Sequence, residues 1–255
     1  MSDTLSALLS TGFEGAIAIV AGGAGGVGAA VVSQLTAHGA RVVVASRSGD
    51  ALDPARGAPA CGEAISAALD LTDPASIRAF ADWAGAVLGR LDLLVNSAGV
   101  TRSVPLGRLD QLDDALIDLV MTSNATGVIR LIRDLQPLLD RGDRPCIVNI
   151  SSVAARTGVG SNIAYVGAKA AMDAVTHALA KALAPRIRVV GIAPSALDTP
   201  FAKGRGQDFI DRTVAATPLG RLATTTEVAN AVLCAARLLT ATTGIVIAVD
   251  GGRHL

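Results

Sequence analysis

The sequence predicts a doubly wound α/β fold, with a seven-stranded parallel sheet and helices on both faces. Two observations lead to this class. Short, β-branched apolar runs alternate with longer amphipathic stretches along the 255 residues, which is the pattern of successive βαβ units. A glycine-rich turn also follows the first apolar run and opens a helix, which makes the predicted fold Rossmann-like.

Each predicted element has its own signal in this pattern. The strands are expected at 16–20, 41–45, 64–69, 91–96, 146–150, 187–192 and 244–249. Helices are expected at 27–38, 74–88, 109–139, 162–183 and 225–239. The run Thr122-Ser123-Asn124 predicts that 109–139 is split into two helices, and the Gly, Pro and Asp residues of 48–62 predict a loop. With no linker or composition shift, residues 1–255 are expected to form a single domain.

Composition narrows the possible partners. Acidic and basic residues are equal in number, at 22 each, so there is no electrostatic reason to expect nucleic acid or an anionic membrane. A small-molecule partner is expected instead. The three cysteines have no C-x-x-C spacing, which favours reduced thiols in the cytoplasm over a disulfide frame or a metal site. Residues 1–15 lack a basic segment, and no apolar run of about 18 residues is found, so neither a signal peptide nor a membrane span is expected.

The glycine-rich turn predicts a phosphate-binding loop. Gly22, Gly25, Gly26, Val27 and Gly28 follow the first strand and open the next helix. Backbone amides at such a helix start bind phosphate, and glycines let a pyrophosphate approach closely. The alternative is a tight turn that only allows close helix packing.

The end of the second strand bears on the choice of cofactor. Ser46 and Arg47 stand where NAD-binding proteins usually carry an acid. A guanidinium suits a 2′-phosphate, so NADPH is expected in preference to NADH, with NAD still possible; the alternative is that Arg47 is an ordinary surface arginine. After the third strand, Asp70 and Leu71 are expected to contact the adenine, although Asp70 could equally cap the next helix.

The only tyrosine, Tyr165, lies four residues before Lys169. Positions i and i+4 share a helix face, and Asn162 can cap a helix here. A nearby ammonium lowers the pKa of a phenol, so the pair is a candidate proton-transfer centre. Taken alone, the spacing could also arise by chance.

Together these motifs resemble the compact form of the short-chain dehydrogenase/reductase family. The resemblance rests on Gly22-x-x-x-Gly26-x-Gly28, Asn96-Ser97-Ala98-Gly99, Ser152 and Tyr165-x-x-x-Lys169, and it covers nearly the whole chain. It implies a catalytic tetrad of Asn124, Ser152, Tyr165 and Lys169. It also implies that Asn96, Ala98, Gly99, Tyr165, Lys169, Pro194 and Thr199 contact the cofactor, that 198–213 forms a substrate lid, and that the protein is a homotetramer or a dimer.

The resemblance also suggests a substrate class. The segments 98–102, 218–221 and 227–229 are similar to those of 3-oxoacyl carrier-protein reductases. Reduction of a 3-oxoacyl thioester or a related ketone is therefore the first expectation. Dehydrogenation of a secondary or cyclic alcohol is the second, and a non-catalytic cofactor-binding regulator is a more distant one. Arg102 and Arg156 are expected to flank the pocket and to attract an anionic or phosphopantetheine-bearing substrate.

Overall fold

A computed structural model describes residues 12–197 and 206–255 of the chain. Its strands are β1 (Ile17–Ala21), β2 (Arg41–Ser46), β3 (Ala64–Ala68), β4 (Leu93–Asn96), β5 (Cys146–Ile150), β6 (Arg188–Pro194) and β7 (Val246–Val249). They form one parallel sheet in the order β3-β2-β1-β4-β5-β6-β7. The predicted fold class is confirmed.

The helices lie between these strands. They are α1 (Gly26–Ala37), α2 (Pro74–Leu88), α3 (Asp114–Met121), α4 (Gly127–Leu139), α5 (Ala154–Thr157), α6 (Ile163–Ala182), α7 (Gln207–Ala215) and α8 (Thr225–Arg237). The segment 48–62 is irregular apart from one 3₁₀ turn, Pro54–Arg56, as its composition predicts.

The sheet is buried on both faces because its strands carry apolar side chains on both sides. Ile19 and Val43 belong to the core that the sheet forms with α2, α3, α4 and α6. Their neighbours Val20 and Val42 belong to the second core, formed with α1 and α8. In register, Val20 pairs with Val44 of β2 and with Val95 of β4. The strand order reverses between β2 and β4 around β1, and open α/β sheets bind ligands at the carboxyl ends of the strands at such a point.

Every strand end lies within two residues of its predicted position. The prediction that β4 begins at residue 91 is wrong, since the Leu91 N–H donates to the Leu138 carbonyl at the end of α4 and not to a strand. At the other end of the sheet, β6 continues to Pro194. This extension brings the segment after β6 level with the other strand ends.

The interruption predicted within 109–139 is present, but it is a π-helical turn between two helices and not a break in the chain's helical path. Residues 109–111 form a separate 3₁₀ turn, and α3 begins after Asp113, whose carboxylate accepts the Leu116 N–H at 2.7 Å. A π-helical turn, Thr122–Thr126, then joins α3 to α4 without a break. The polar run therefore widens the helix by a residue where it was expected to end it.

The joined helix, Asp114–Leu139, is long and apolar enough in composition to resemble a membrane span. Half of its most apolar window is buried inside the protein. A core helix meets the same criterion, so this feature is weak evidence for a membrane segment.

The predicted lid at 198–213 is covered only in part. Residues 198–205, including Thr199, lie outside the described part of the chain. The rest was expected to be a glycine-hinged loop, and it is instead largely helical, because α7 begins at Gln207 directly after Gly206.

Candidate active site

A cavity of about 1080 Å³ opens at the carboxyl edge of the sheet. The segments that follow β1, β2, β3, β4, β5 and β6 all contribute to its wall. Parts of α6, α7 and the C-terminal turn complete it. The cavity therefore lies at the switch point that the strand order defines.

The glycine loop is shaped by close backbone contacts. Gly22 has φ of +80°, and a Cβ at this position would lie 2.5 Å from the Ala98 Cα. A Cβ at Gly28 would overlap the Gly22 carbonyl. By contrast, a Cβ at Gly25 would meet nothing within 4 Å. The loop is therefore packed against neighbouring backbone at Gly22 and Gly28 and is open to the cavity at Gly25.

The open side faces the start of α1. Gly25 occupies the N-cap position in an extended conformation, and no side chain caps the helix. The first N–H groups of a helix attract anions, and Gly25, Gly26 and Val27 line the cavity there. These residues fit a dinucleotide pyrophosphate, while Gly28 contributes behind the wall through its packing on Gly22.

At the far end of this loop, the cavity is lined by Ser46, Arg47, Asp70 and Leu71. Arg47 is exposed. Asp70 accepts hydrogen bonds from the Thr72 hydroxyl and N–H, and these lower the pKa of its carboxyl. The cap of α2 is Asp73, which accepts the Ala75 N–H at 2.8 Å. Asp70 is therefore free of the capping role and presents a carboxylate to the cavity.

Two neighbouring serines follow β5, and their environments differ. Ser151 is buried and donates its hydroxyl hydrogen bond to Asp173. Ser152 is only partly buried, and its Oγ accepts the Ala154 N–H at 3.2 Å. Since its own proton is not committed to Asp173 or to the helix, Ser152 is the serine able to donate a hydrogen bond to a substrate.

The start of α6 fixes the tyrosine and the lysine. Asn162 caps this helix by accepting the Tyr165 N–H at 2.7 Å, and its Nδ2 donates to the Arg102 carbonyl at 2.8 Å. Lys169 Nζ donates to the Ile150 carbonyl at 2.8 Å and lies 5.7 Å from the Tyr165 ring centroid. Both residues line the cavity. The helix thus holds the ammonium beside the phenol, as the four-residue spacing predicts.

The charge on Lys169 is poorly solvated. Burial lowers the pKa of its ammonium to about 8, and the nearby Asp173 carboxylate opposes this shift. Burial in turn raises the pKa of Asp173, against the hydrogen bond from Ser151. Lys169 is therefore a cation near neutral pH that loses its proton more easily than an exposed lysine does.

Asn124 lies in the π turn, behind the wall of the cavity. Its Nδ2 donates to the Val100 carbonyl at 2.8 Å and to the Val120 carbonyl at 2.9 Å. Its Oδ1 is buried and has no hydrogen-bond partner in the part of the chain that the structure describes. A Cβ on Gly99 would overlap this oxygen. An unpaired buried acceptor at a π turn fits a bound water, because buried polar groups are nearly always hydrogen-bonded.

The structure brings most of the sequence-predicted site residues together. Those on the cavity wall are Gly22, Gly25, Gly26, Val27, Ser46, Arg47, Asp70, Leu71, Ala98, Gly99, Ser152, Tyr165, Lys169 and Pro194. Asn96 is not on the wall, since its side chain is buried and donates to Asn149 Oδ1 at 2.8 Å. The Asn96 side chain therefore links β4 and β5, and its contact with the cofactor stays a prediction.

Two predicted arginines do not reach the cavity. Arg102 pairs with Asp113 at 2.7 Å, and Arg156 donates to the Val246 carbonyl at 2.6 Å. The cavity is instead lined by Arg212 and Arg253, which sequence reasoning missed. Their only signal was their position, in the predicted lid and after the last strand.

A dinucleotide cradle that opens directly onto a tyrosine, a lysine and a serine is the arrangement of oxidoreductases that use a nicotinamide cofactor. The site therefore defines the class of Rossmann-fold oxidoreductases acting on carbonyl and alcohol groups. Residues 22–254 match the family model described as enoyl-(acyl carrier protein) reductase. The chain belongs to this family, within the short-chain dehydrogenase/reductases, and family membership implies NAD(P) and a small-molecule substrate.

Named relatives align over nearly their full length. The chain is 35% identical to ketoacyl reductase 2 of the granaticin polyketide synthase from Streptomyces violaceoruber, over 95% of this chain and 97% of the relative. It is 35% identical to cis-4-hydroxycyclohexanecarboxylate dehydrogenase from Sinomonas cyclohexanicum, over 94% and 97%. It is 33% identical to the 3-oxoacyl-[acyl-carrier-protein] reductase FabG of Escherichia coli K12, over 95% and 99%.

The fold has a similar counterpart among solved structures. The short-chain dehydrogenase/reductase, glucose/ribitol dehydrogenase, from Brucella melitensis superposes with a TM-score of 0.84 at 28% identity. The alignment covers 96% of this chain and 98% of that structure.

Proposed function

We propose that the protein is an NADPH-dependent reductase that converts a ketone, a 3-oxoacyl thioester or a related carbonyl compound, into a secondary alcohol. The observation that carries this proposal is the position of Tyr165. It lines the same cavity as Ser152, and its ring centroid lies 5.7 Å from Lys169 Nζ. The same cavity continues to the glycine loop.

We infer that residues on the cavity wall hold the cofactor from its adenosine end to its nicotinamide end. Gly22, Gly25, Gly26 and Val27 would hold the pyrophosphate, while Ser46, Arg47, Asp70 and Leu71 would contact the adenosine end. Ala98, Gly99, Pro194 and Lys169 would lie along the nicotinamide end, and Thr199 is proposed to join them. When bound, the nicotinamide supplies the hydride that adds to the carbonyl carbon.

The remaining steps belong to side chains of this protein. As negative charge grows on the substrate oxygen, Ser152 donates a hydrogen bond to it and Tyr165 transfers its phenolic proton to it. The Lys169 ammonium stabilises the tyrosinate that remains. Asn124, through a water on its unpaired oxygen, connects Lys169 to solvent so that the proton can be replaced. In alcohol oxidation the same proton steps run in reverse.

The change Tyr165→Phe tests the proposed mechanism. It keeps the ring but removes the transferable proton, so turnover should fall by about 10²–10⁴-fold, the usual range for general acid catalysis. NADPH affinity, followed by cofactor fluorescence, should change little. Near-native turnover in this variant would refute the role of Tyr165. Because Tyr165 is the only tyrosine, ultraviolet titration of the folded protein reports on this phenol alone.

The preference for NADPH is supported by Arg47, an exposed guanidinium on the cavity wall next to Ser46. A hydrogen bond to a charged group contributes about 1.5–3 kcal/mol. The change Arg47→Ala should therefore reduce the ratio of kcat/KM for NADPH over NADH by about tenfold or more. A wild-type enzyme that favours NADH would contradict this part of the proposal.

A second candidate is favoured by one relative, the cis-4-hydroxycyclohexanecarboxylate dehydrogenase. In that case the protein would oxidise a secondary or cyclic alcohol. A panel of an acetoacetyl thioester, cyclic ketones and small diketones, assayed with both cofactors, separates the two. Tight NADPH binding without turnover on any carbonyl would instead support the non-catalytic regulator.

We further propose that residues 1–255 act as one catalytic domain, with the substrate lid around 198–213. The protein is proposed to be a cytoplasmic homotetramer, with a dimer as the alternative, and to need no nucleic acid or membrane partner. Light scattering of the purified protein measures the oligomeric state directly.

A further inference from the structure

Two arginines on the cavity wall, Arg212 in the described part of the proposed lid and Arg253 beyond the last strand, have no role assigned in the mechanism proposed above. Arg212 lies in the last turns of α7, and Arg253 follows β7 in the C-terminal turn. They are far apart in sequence, yet their segments touch. A Cβ on Gly251 would lie 2.7 Å from Thr217 Cγ2, and one on Gly252 would lie 3.0 Å from Pro218 Cγ. The C-terminal turn thus packs on the segment that directly follows α7.

Both segments are held in place by their own hydrogen bonds. The buried Asp250 carboxylate accepts the Gly252 N–H at 3.0 Å and the His254 N–H at 2.8 Å, and it lies 2.7 Å from His254 Nδ1. The Leu219 N–H donates to the Gly251 carbonyl at 3.0 Å. These contacts fix the backbone on either side of Arg253 before any ligand binds. Pre-organised donors lose less entropy when they bind a partner.

The two guanidinium groups are also uncommitted. Across the described ranges, neither makes a side-chain hydrogen bond or an ion pair, whereas Arg102, Arg156 and Arg221 all do. Asp208, one turn before Arg212, also lines the cavity but forms no ion pair with it. Among the described residues of α7 and the C-terminal turn, the cavity wall therefore carries two guanidinium groups and one carboxylate.

Apolar residues share the cavity wall with these charges. They include Val104, Val159, Leu197 and Phe209. A ligand that satisfies both features has an aliphatic body and an oxyanion. The planar fork of a guanidinium matches the geometry of carboxylate and phosphate oxygens.

We propose that Arg212 and Arg253 bind an oxyanionic group of the substrate while its carbonyl lies at Ser152 and Tyr165. The substrate class is then an anionic aliphatic ketone, and the anion is either a free carboxylate or the phosphate of a phosphopantetheine-type arm. This inference rests on the proposed reductase function, whose site it shares. It replaces the prediction that Arg102 and Arg156 attract the anion.

Two matched substrate pairs test the inference. Levulinate and methyl levulinate differ by a carboxylate charge, and acetoacetyl phosphopantetheine and acetoacetyl pantetheine differ by a phosphate. The wild-type enzyme should favour the anionic member of one pair by about tenfold or more in kcat/KM, mainly through KM, since charge-assisted hydrogen bonds are among the stronger ones. The pair that shows the preference identifies the source of the oxyanion.

The double variant Arg212→Gln/Arg253→Gln should abolish this preference. Its kcat/KM for the neutral member should stay within about twofold of wild type, and its NADPH affinity should be unchanged. The matched control is Arg102→Gln, a variant of an arginine off the cavity wall, which should keep the preference. The single change Arg253→Lys keeps a charge and should retain part of the preference.

The outcomes distinguish a failure of the oxyanion site from a failure of the proposed reductase function. Equal kcat/KM for anionic and neutral members, with ketones still reduced, would overturn the oxyanion site and leave the reductase intact. If no ketone is reduced although NADPH binds, the proposed function fails. Calorimetry of levulinate and phosphopantetheine binding to the enzyme with NADP then tests the oxyanion site without turnover. Equal binding by wild type and the double variant would overturn it.

Discussion

The two ends of the cavity are built from different parts of the polypeptide. The glycine loop proposed to hold the pyrophosphate is made of backbone, where Gly22 and Gly28 allow contacts that no Cβ could enter. The end proposed to bind the substrate carries side chains, among them Arg212 of α7 and Arg253 of the C-terminal turn. Backbone groups can hold the part that every dinucleotide shares, whereas side chains can change with the substrate. On this proposal, the backbone of the shared fold accounts for dinucleotide binding, and the side chains particular to this protein account for the choice of substrate.

The largest effect is expected from a substitution in the glycine loop, which forms the backbone part of the cavity wall. The change Gly22→Ala places a Cβ 2.5 Å from the Ala98 Cα at φ of +80°, so the β4 loop must shift. We expect a loss of about 1–3 kcal/mol in the free energy of unfolding, typical of overpacking, and a large loss of NADPH affinity. Denaturant unfolding and fluorescence titration measure the two.

The matched control for this variant is Gly85→Ala in α2, where a Cβ would meet nothing within 4 Å. Replacing a helical glycine by alanine should raise the free energy of unfolding by up to about 1 kcal/mol. If Gly22→Ala behaved like Gly85→Ala, the contrast between the two ends of the cavity would not hold.

The next largest effect concerns the ammonium group of Lys169. The pKa of Lys169 is lowered to about 8 by burial, so its ammonium is present below this pH and lost above it. Because the proposed mechanism needs the cation, the rate of ketone reduction should fall as pH rises through about 8, approaching tenfold per pH unit. A kcat profile measured at saturating NADPH shows this limb.

Lys181, exposed at the end of α6, provides the control for this profile. The variant Lys181→Met should keep the same limb, because its charge lies outside the cavity wall. A wild-type rate that stays constant well above pH 8 would remove Lys169 from the proton-transfer steps.

The smallest expected effect is a shift of that limb. The Asp173 carboxylate raises the pKa of Lys169 against the effect of burial. The change Asp173→Asn removes this charge, so the high-pH limb should move to lower pH while NADPH affinity stays near wild type. The exposed Asp82 on α2 supplies the control Asp82→Asn, for which no shift is expected. An unmoved limb in Asp173→Asn would show that Asp173 does not influence Lys169.

The contrast between the two parts of the cavity also explains which site residues could be predicted from the sequence alone. The glycine loop and the pair Tyr165–Lys169 were predictable because their chemistry is local, set by turns and by helical spacing. The presence of both Arg212 and Arg253 on the cavity wall was not predictable, since it depends on the segment that follows α7 packing against the C-terminal turn. Arg102 was assigned to the pocket from its motif, but its ion pair with Asp113 could be seen only in three dimensions.

The π turn is another feature that could not be predicted from the sequence alone. Thr122–Thr126 was expected to end a helix because Thr, Ser and Asn are poor helix formers. Their backbone bonds continue instead, with the Gly127 N–H donating to the Thr122 carbonyl. Whether a weak helical stretch breaks or widens is decided by its neighbours, here α6 packed against it.

The extra residue of the π turn also sets the phase of the helix that contains it. Each residue of an α-helix advances about 100° around the axis, so the turn rotates α4 by that amount relative to α3. Deleting one residue between 122 and 126 would either turn the buried Leu131 and Leu135 away from the core or withdraw Asn124 from the Val100 carbonyl. Among related chains, the length of this helix should therefore vary less than its composition, and an alignment gap inside it would indicate a different position for the residue equivalent to Asn124.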